Sequence, residues 1–277
     1  IKKIIKYFLG EKPAHYWRYF FDRKEMRRAL CKTEKENQMQ FPNKIAILFI
    51  GTNKYIKFFP RYYESIKELF LTKTKKDFFV FTDETDYPFL KNKKDIIIVK
   101  INHEKWPLST MKRFDYINKV NKKLEEYSHI IYFDADMYVN TKIDEEKFFC
   151  HNKSLFGVQH PNFVKKIGLF EYRPESMAGI SKNDDLSTYW QACFWGGKTK
   201  EILKLSKELE KRTNIDLRKN IIPIWHDESH LNKYFIENKK DVYTYNPAYA
   251  YPKKRPILKP FMKKIVHMTG QDPNKLR

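Results

Sequence analysis

Two stretches of the chain carry residue types that could do chemistry. The first is the apolar run His129-Ile130-Ile131-Tyr132-Phe133, which stops abruptly at Asp134-Ala135-Asp136. β-Branched and aromatic residues at this density read as a buried strand. Side chains at i and i+2 of extended chain leave on one side, so the spacing lets Asp134 and Asp136 share an ion. Two hard oxygen ligands, with no Cys or second His nearby, suit Mg²⁺ or Mn²⁺ rather than Zn²⁺. Acids at a strand end also serve as turn-formers and helix N-caps.

The second stretch is Trp225-His226-Asp227-Glu228-Ser229-His230-Leu231-Asn232-Lys233-Tyr234, which sets two acids and two histidines at the start of a predicted helix. Acids there are also stabilised by the helix dipole. His226 and His230 have the i, i+4 spacing of a zinc-protease helix, but Asp227 sits where that motif needs Glu. A carboxylate pair opposite a metal–diphosphate site suits glycosyl transfer, in which charge develops at an anomeric carbon and one acid must face it.

The elements that must position these residues follow from periodicity. Lys44 to Ile50 reads as a buried strand ending in Gly51-Thr52-Asn53, a helix is expected from about Phe58 to Phe70, and Asp77–Phe81 and Ile96–Val99 read as two more strands. Met111 to Leu124 carries apolar residues at helical spacing and leads into the Asp134 strand. Strands and helices alternating at these lengths argue for βαβ units in a mainly parallel sheet with ligand chemistry at the strands' carboxyl ends. Farther on, Ser154–Val158 reads as a strand, Lys198–Leu209 as an amphipathic helix, and Gln191-Ala192-Cys193-Phe194-Trp195-Gly196-Gly197 as an aromatic strand ending where backbone must approach something closely.

The chain has 277 residues, 42% of them apolar and 16% aromatic, enough for a large core. It contains no run of about 18 apolar residues, no visible signal peptide, and three well-separated cysteines, Cys31, Cys150 and Cys193, so a cytoplasmic location with reduced thiols is expected. Its +21 charge is concentrated at the ends: eleven basic against five acidic residues over 1–40, and eight against one over 252–277. Ile1, Ile4, Ile5, Phe8 and Leu9 lie on one face of a basic amphipathic helix, which suggests peripheral contact with an anionic membrane on its inner face, or packing on the main domain or a second copy. No nucleic-acid-binding signature accompanies the charge, so no nucleic-acid partner is expected. The expected division is a basic segment 1–40 and a main domain 41–277, the latter with a nucleotide half (about 41–137), an acceptor half (about 138–251) and a basic tail (252–277). The oligomeric state is left open.

In order and content, these motifs resemble glycosyltransferase family 6, the family of the blood-group A and B transferases and the α1,3-galactosyltransferases. The most specific match is Trp225 to Tyr234, followed by Asp134-Ala135-Asp136; Tyr55, Trp106 with Arg113, His160-Pro161, Arg173-Pro174 with Ser176, and Phe194-Trp195-Gly196-Gly197 support it. The resemblance covers residues 44–277 and implies an α/β GT-A fold, a single Rossmann-like mixed sheet flanked by helices. It implies retaining transfer of Gal or GalNAc from UDP-Gal or UDP-GalNAc to the 3-hydroxyl of a galactoside. Ile50, Thr52 and Tyr55 would hold the uridine, with Trp106, Ser109, Ala135, Gln191, Ala192 and Cys193 also in the donor site. Asp134 and Asp136 would hold Mn²⁺ (or Mg²⁺) on the diphosphate, Arg113 would lie by donor sugar and aspartate, and Asp227 would bind sugar hydroxyls. Glu228 would be the nucleophile or ion-stabilising base, and His160 and Trp225 would line the acceptor site. Lys275 or Arg277 would reach the diphosphate from a tail that closes over UDP. Two other readings compete. One is a glycogenin-like or lipopolysaccharide hexosyltransferase, in which His267 would complete the metal site. The other is a non-enzymatic basic module binding membrane or nucleic acid.

Overall fold

The computed structural model describes residues 41–164 and 166–251 and the backbone of Met268–Gly270. The chain divides into two compact units, Ile1–Gln40 and Phe41–Arg277. The amphipathic segment and most of the basic tail lie outside the described residues.

Four strands form the first half of the sheet: β1 (Lys44–Ile50), β2 (Lys75–Thr82), β3 (Ile96–Lys100) and β4 (His129–Phe133). They pair in parallel, with β1 between β2 and β4 and β3 outside β2. Three more, β6 (Leu155–Gln159), β7 (Trp190–Lys198) and β8 (Val242–Tyr245), complete seven strands in the order β3-β2-β1-β4-β7-β6-β8. β7 alone runs against its neighbours β4 and β6, so the sheet is mixed. The two remaining strands, β5 (Met137–Val139) and β9 (Met268–Gly270), pair antiparallel as a separate ribbon.

Alternation along β1 explains the layering. Ile45, Ile47 and Phe49 face one core, Ala46 and Leu48 the other, and all five are fully buried. Helix α1 (Phe59–Leu69) covers the first face through Phe59, Tyr62 and Ile66, and Pro60 sits in its first turn, where a missing N–H costs nothing. The second face is covered by α3 (Arg113–Asn118), α6 (Thr199–Arg218) and α7 (His226–Glu237), with Phe114, Ile117, Leu205, Leu209, Leu231 and Phe235 against the sheet. This α/β architecture is GT-A-like.

Three sequence expectations are corrected. The single helix expected over Met111–Leu124 is three short pieces: α2 (Leu108–Met111), α3 and α4 (Asn121–Leu124). Its break at Lys112 accompanies the burial of Arg113, whose guanidinium is drawn between Asp134, just past the carboxyl end of β4, and Asp227 of α7. The expected Lys198–Leu209 helix instead runs on to Arg218, because its polar second half is satisfied by partners out of local view. Arg212 pairs with Glu208 and Glu237, and Asn214 donates to Asp115. Asp134 to Asp136 is a turn rather than extended chain, closed by Met137 N–H donating to the Asp134 carbonyl at 2.9 Å. A single turn, α5 (Glu145–Phe148), links the β5 ribbon to β6.

Candidate active site

The carboxyl ends of β1 and β4 border a cavity of about 390 Å³. Nine of the residues expected in the site line it: Ile50, Thr52, Tyr55, Trp106, Ser109, Arg113, Asp134, Ala135 and Asp136. The β1 end is shaped by Asn53, which takes a left-handed φ of 52°. Asn tolerates that region better than most residues, and here its N–H donates to Asp83 Oδ1 at 2.7 Å. Thr52 Oγ1 lies 2.9 Å from His103 Nδ1, and the half-exposed Tyr55 stands at the rim.

Opposite, the two aspartates differ in their surroundings. Asp134 Oδ1 accepts from Tyr132 OH at 2.7 Å and from Arg113 Nη2 at 3.1 Å. Asp136 forms no ion pair among the described residues; burial, then repulsion from Asp134, pushes its carboxyl up to about 7. A recessed, uncompensated carboxylate beside a second one is the environment that a divalent cation relieves, and the donors are hard oxygens. The chemistry of the pair therefore fits Mn²⁺ or Mg²⁺, with two ligands from protein. No cluster of three or more metal-binding side chains exists among the described residues.

Arg113 is the hub. It is 6% exposed and its guanidinium lies over the Tyr132 ring, 4.3 Å from the centroid. Burial works against its charge, but Asp227, Tyr132 and Asp134 together more than restore it. Nη1 donates to the Ala192 carbonyl at 3.0 Å and lies 2.9 Å from Asp227 Oδ2, an ion pair not aligned as a hydrogen bond. The carboxyl of Asp227 is raised by burial, with Arg113 opposing.

Ala192 also holds the next acid. Its N–H donates to Glu228 Oε2 at 2.9 Å, while Tyr189 OH donates to Oε1 at 2.8 Å. Burial nevertheless dominates and pushes the Glu228 carboxyl up to about 7. Ala192 is free for this double duty because the register of β6 on β7 jumps from Gly157↔Trp195 to Val158↔Gln191, a bulge that releases the intervening backbone. Cys193 accepts the Asp134 N–H at 2.8 Å, and Gln191 Oε1 is buried without a hydrogen-bond partner among the described residues. Asn232, one turn after Glu228 in α7, fastens the helix to the strand. Its side chain accepts the Trp190 N–H at 2.9 Å and donates to the Trp190 carbonyl at 2.8 Å.

His226 opens α7 with a left-handed φ of 52°, an outlier of the sort that persists only where surroundings enforce it. Its ring meets the edge of Trp106, 70% exposed, with centroids 4.7 Å apart; Trp225 beside it is 41% exposed. His160 is tied to Tyr189 by its backbone N–H and lies against that ring, which brings it toward Glu228. His230 is fully buried and faces Asp216 at 3.3 Å, so the two histidines of the motif point into different surroundings. Lys275, Arg277 and His267 lie outside the described residues. Sequence reasoning missed Tyr132, His103 and Tyr189. Tyr132 had a signal, standing two residues before Asp134; Tyr189 and His103 meet their partners only through the fold.

A family model of glycosyltransferase family 6 matches residues 31–277. O-antigen biosynthesis glycosyltransferase WbnI of Escherichia coli is 32% identical over 215 residues, which cover 76% of this chain and 88% of that protein. Histo-blood group ABO system transferase 1 of Rattus norvegicus is 27% identical over 230 residues, 80% of this chain and 64% of that one. Globoside alpha-1,3-N-acetylgalactosaminyltransferase 1 of Mus musculus is 24% identical over 221 residues, 76% of this chain and 62% of that one. The chain thus spans less than two thirds of the length of these two animal relatives. The glycogenin-like and non-enzymatic readings give way to this match: the chain belongs to glycosyltransferase family 6.

Proposed function

We propose that the protein is a retaining glycosyltransferase that moves Gal or GalNAc from a UDP-sugar to the 3-hydroxyl of a galactoside, forming an α1,3 linkage. The observation that carries the reading is the double use of Ala192. Its N–H holds Glu228, and its carbonyl holds the arginine that also contacts Asp134 and Asp227. One backbone residue thereby fixes the diphosphate side of the cleft relative to the carboxylate that must face the anomeric carbon. Two relatives, one an alpha-1,3-N-acetylgalactosaminyltransferase and one a blood-group transferase, support the donor and linkage class.

In this reading Ile50, Thr52 and Tyr55 take the uridine from the half of the domain that ends near residue 137, with Trp106 and Ser109 closing the other wall. Asp134 and Asp136 would hold Mn²⁺ or Mg²⁺, which when bound supplies positive charge to the departing diphosphate. Asp227 and Arg113 orient the donor sugar. Glu228, as a carboxylate, faces the anomeric carbon as nucleophile or ion stabiliser, and His160 and Trp225 receive the acceptor from residues 138–251. Lys275 and Arg277 would add charge at the diphosphate. UDP leaves with the electron pair of the broken bond, and as the acceptor's 3-hydroxyl oxygen bonds to the sugar its proton passes to the departing diphosphate oxygen.

The test is a panel of UDP-sugars incubated with the enzyme, with and without Mn²⁺ and with chelator, scoring UDP release and transfer to galactosides. UDP-Gal or UDP-GalNAc should be turned over and the others not. Asp136→Asn should remove most metal-dependent turnover. Absence of UDP release from every donor, or full activity in chelator, would overturn the reading.

A further inference from the structure

Two loops near the Glu228 edge of the site expose apolar side chains together. After β6, Ile167 is 69%, Leu169 51% and Tyr172 42% exposed; between α6 and α7, Ile222 is 37% and Ile224 49% exposed. These are not independent loop tips. Arg173 Nη2 donates to the Ile222 carbonyl at 2.6 Å, the Ile224 N–H donates to Glu171 Oε2 at 2.9 Å, and Arg173 pairs with the buried Glu171 at 2.7 Å. The first loop is also pinned to the site. At Gly168 a Cβ would stand 2.1 Å from the Tyr189 ring, so the backbone lies flat on that ring and the flanking Ile167 and Leu169 turn outward. Tyr189 is the residue that donates to Glu228.

The charge of these two loops is mainly positive. Residues 164–175 and 218–224 contain Lys165, Lys166, Arg173, Arg218 and Lys219 against two acids, Glu175 and the buried Glu171, which is consumed by Arg173. Isolated apolar residues on a surface are ordinary, whereas a contiguous group rimmed by cations marks a contact. A second copy of the chain would bring the same cations face to face across a two-fold axis, which like-charge repulsion opposes. An anionic lipid surface satisfies both parts, with aliphatic side chains entering the headgroup boundary while Lys and Arg meet phosphates.

We propose that Ile167, Leu169, Tyr172, Ile222 and Ile224, with Lys166, Arg218 and Lys219, form a docking face for an anionic bilayer. Docked this way, the Tyr189–Glu228 edge of the site lies next to the lipid, where an acceptor carried by the bilayer would meet it. Lipid binding itself asks nothing of the reaction proposed above, so its failure and that of the catalytic reading are separately visible.

The test uses the full chain with Cys31→Ser and Cys150→Ser, so that the only native thiol left is the buried Cys193. An environment-sensitive fluorophore is placed at Leu169→Cys or, as a control near β3 on the far sheet edge, at Lys94→Cys. Vesicles of phosphatidylcholine, with or without phosphatidylglycerol, are then added. Emission at position 169 should shift to the blue and brighten only with phosphatidylglycerol present, while position 94 stays unchanged. Ile167→Ser/Leu169→Ser/Ile222→Ser should weaken vesicle cosedimentation by about tenfold or more with an unaltered melting curve. Vesicle binding with position 169 still in water would put the contact elsewhere and overturn the proposal. So would absence of binding, or brightening at 169 that grows with protein concentration in the absence of lipid.

Discussion

Glu228 is held at both oxygens by donors that favour its ionised form, yet its burial wins and its proton is lost only near pH 7. For an acid whose folded value is raised above the ordinary 4.5, the folded chain keeps a proton that the unfolded chain has released. Stability therefore falls as pH rises from about 4.5 through 7. Glu228→Gln removes this cost, because a Gln amide can accept from Ala192 N–H and donate to the Tyr189 oxygen. We expect the melting temperature of wild type to fall more steeply than that of Glu228→Gln between pH 5 and 8, with transfer lost by about three orders of magnitude in the variant. Parallel melting temperatures across that range would contradict the assignment. Tyr189→Phe tests the same group from the other side. Without the hydroxyl, the Glu228 proton is held more tightly, so the acidic limb of the rate profile should move to higher pH. The activity deficit should be largest below pH 7 and shrink above it.

At the scale of elements, the site depends on α7 meeting β7 beyond the end of β4, where β6 still pairs with β7 but the opposite side of the β7 backbone lacks a strand to bond. Asn232 substitutes for that strand by bonding both polar groups of Trp190, and it also donates to the Glu228 carbonyl at 2.9 Å. Asn232→Ala should cost about 2–4 kcal/mol, since it strands two buried backbone groups at once. The drop in the denaturation midpoint should come with a loss of transfer rate, because the Glu228 backbone is released too. A variant as stable as wild type would show that water replaces the amide. Much of this level could be read in advance. β1 and β2 announce themselves by continuous apolar runs, α1 and α7 by helical spacing, and the carboxyl-end rule put Gly51 and Asp134 at one cleft. The reversal of β7 and its bulge could not be read, because direction in a sheet is set by which neighbour completes the core and not by local pattern. The break before Arg113 escaped for a related reason: helical spacing persists through it, and burial of that arginine is made favourable by partners distant in sequence, Asp227 first, with Tyr132 and Asp134.

For the molecule as a whole, the open question is what the basic tail does once β9 has anchored it. Gly270 pairs with Met137, the residue that follows Asp136, so the chain beyond β9 continues from beside the aspartate turn. β5 has no other strand partner among the described residues, so β9 satisfies an otherwise open ribbon edge. These two jobs can be separated by truncation. Ending the chain after Gly270 keeps the β5 pairing but removes Lys275 and Arg277, the cations expected to meet the diphosphate. Donor KM should rise about tenfold or more and kcat should fall, because charge on the leaving group is no longer offset, while the melting temperature stays put. Ending it after Val266 removes β9 as well, so the melting temperature should also drop as the backbone of β5 loses its partners. UDP with Mn²⁺ should protect the wild-type tail from limited proteolysis at sites after Gly270. If the Gly270 truncation keeps full transfer activity and UDP gives no protection, the tail serves the β5 ribbon alone.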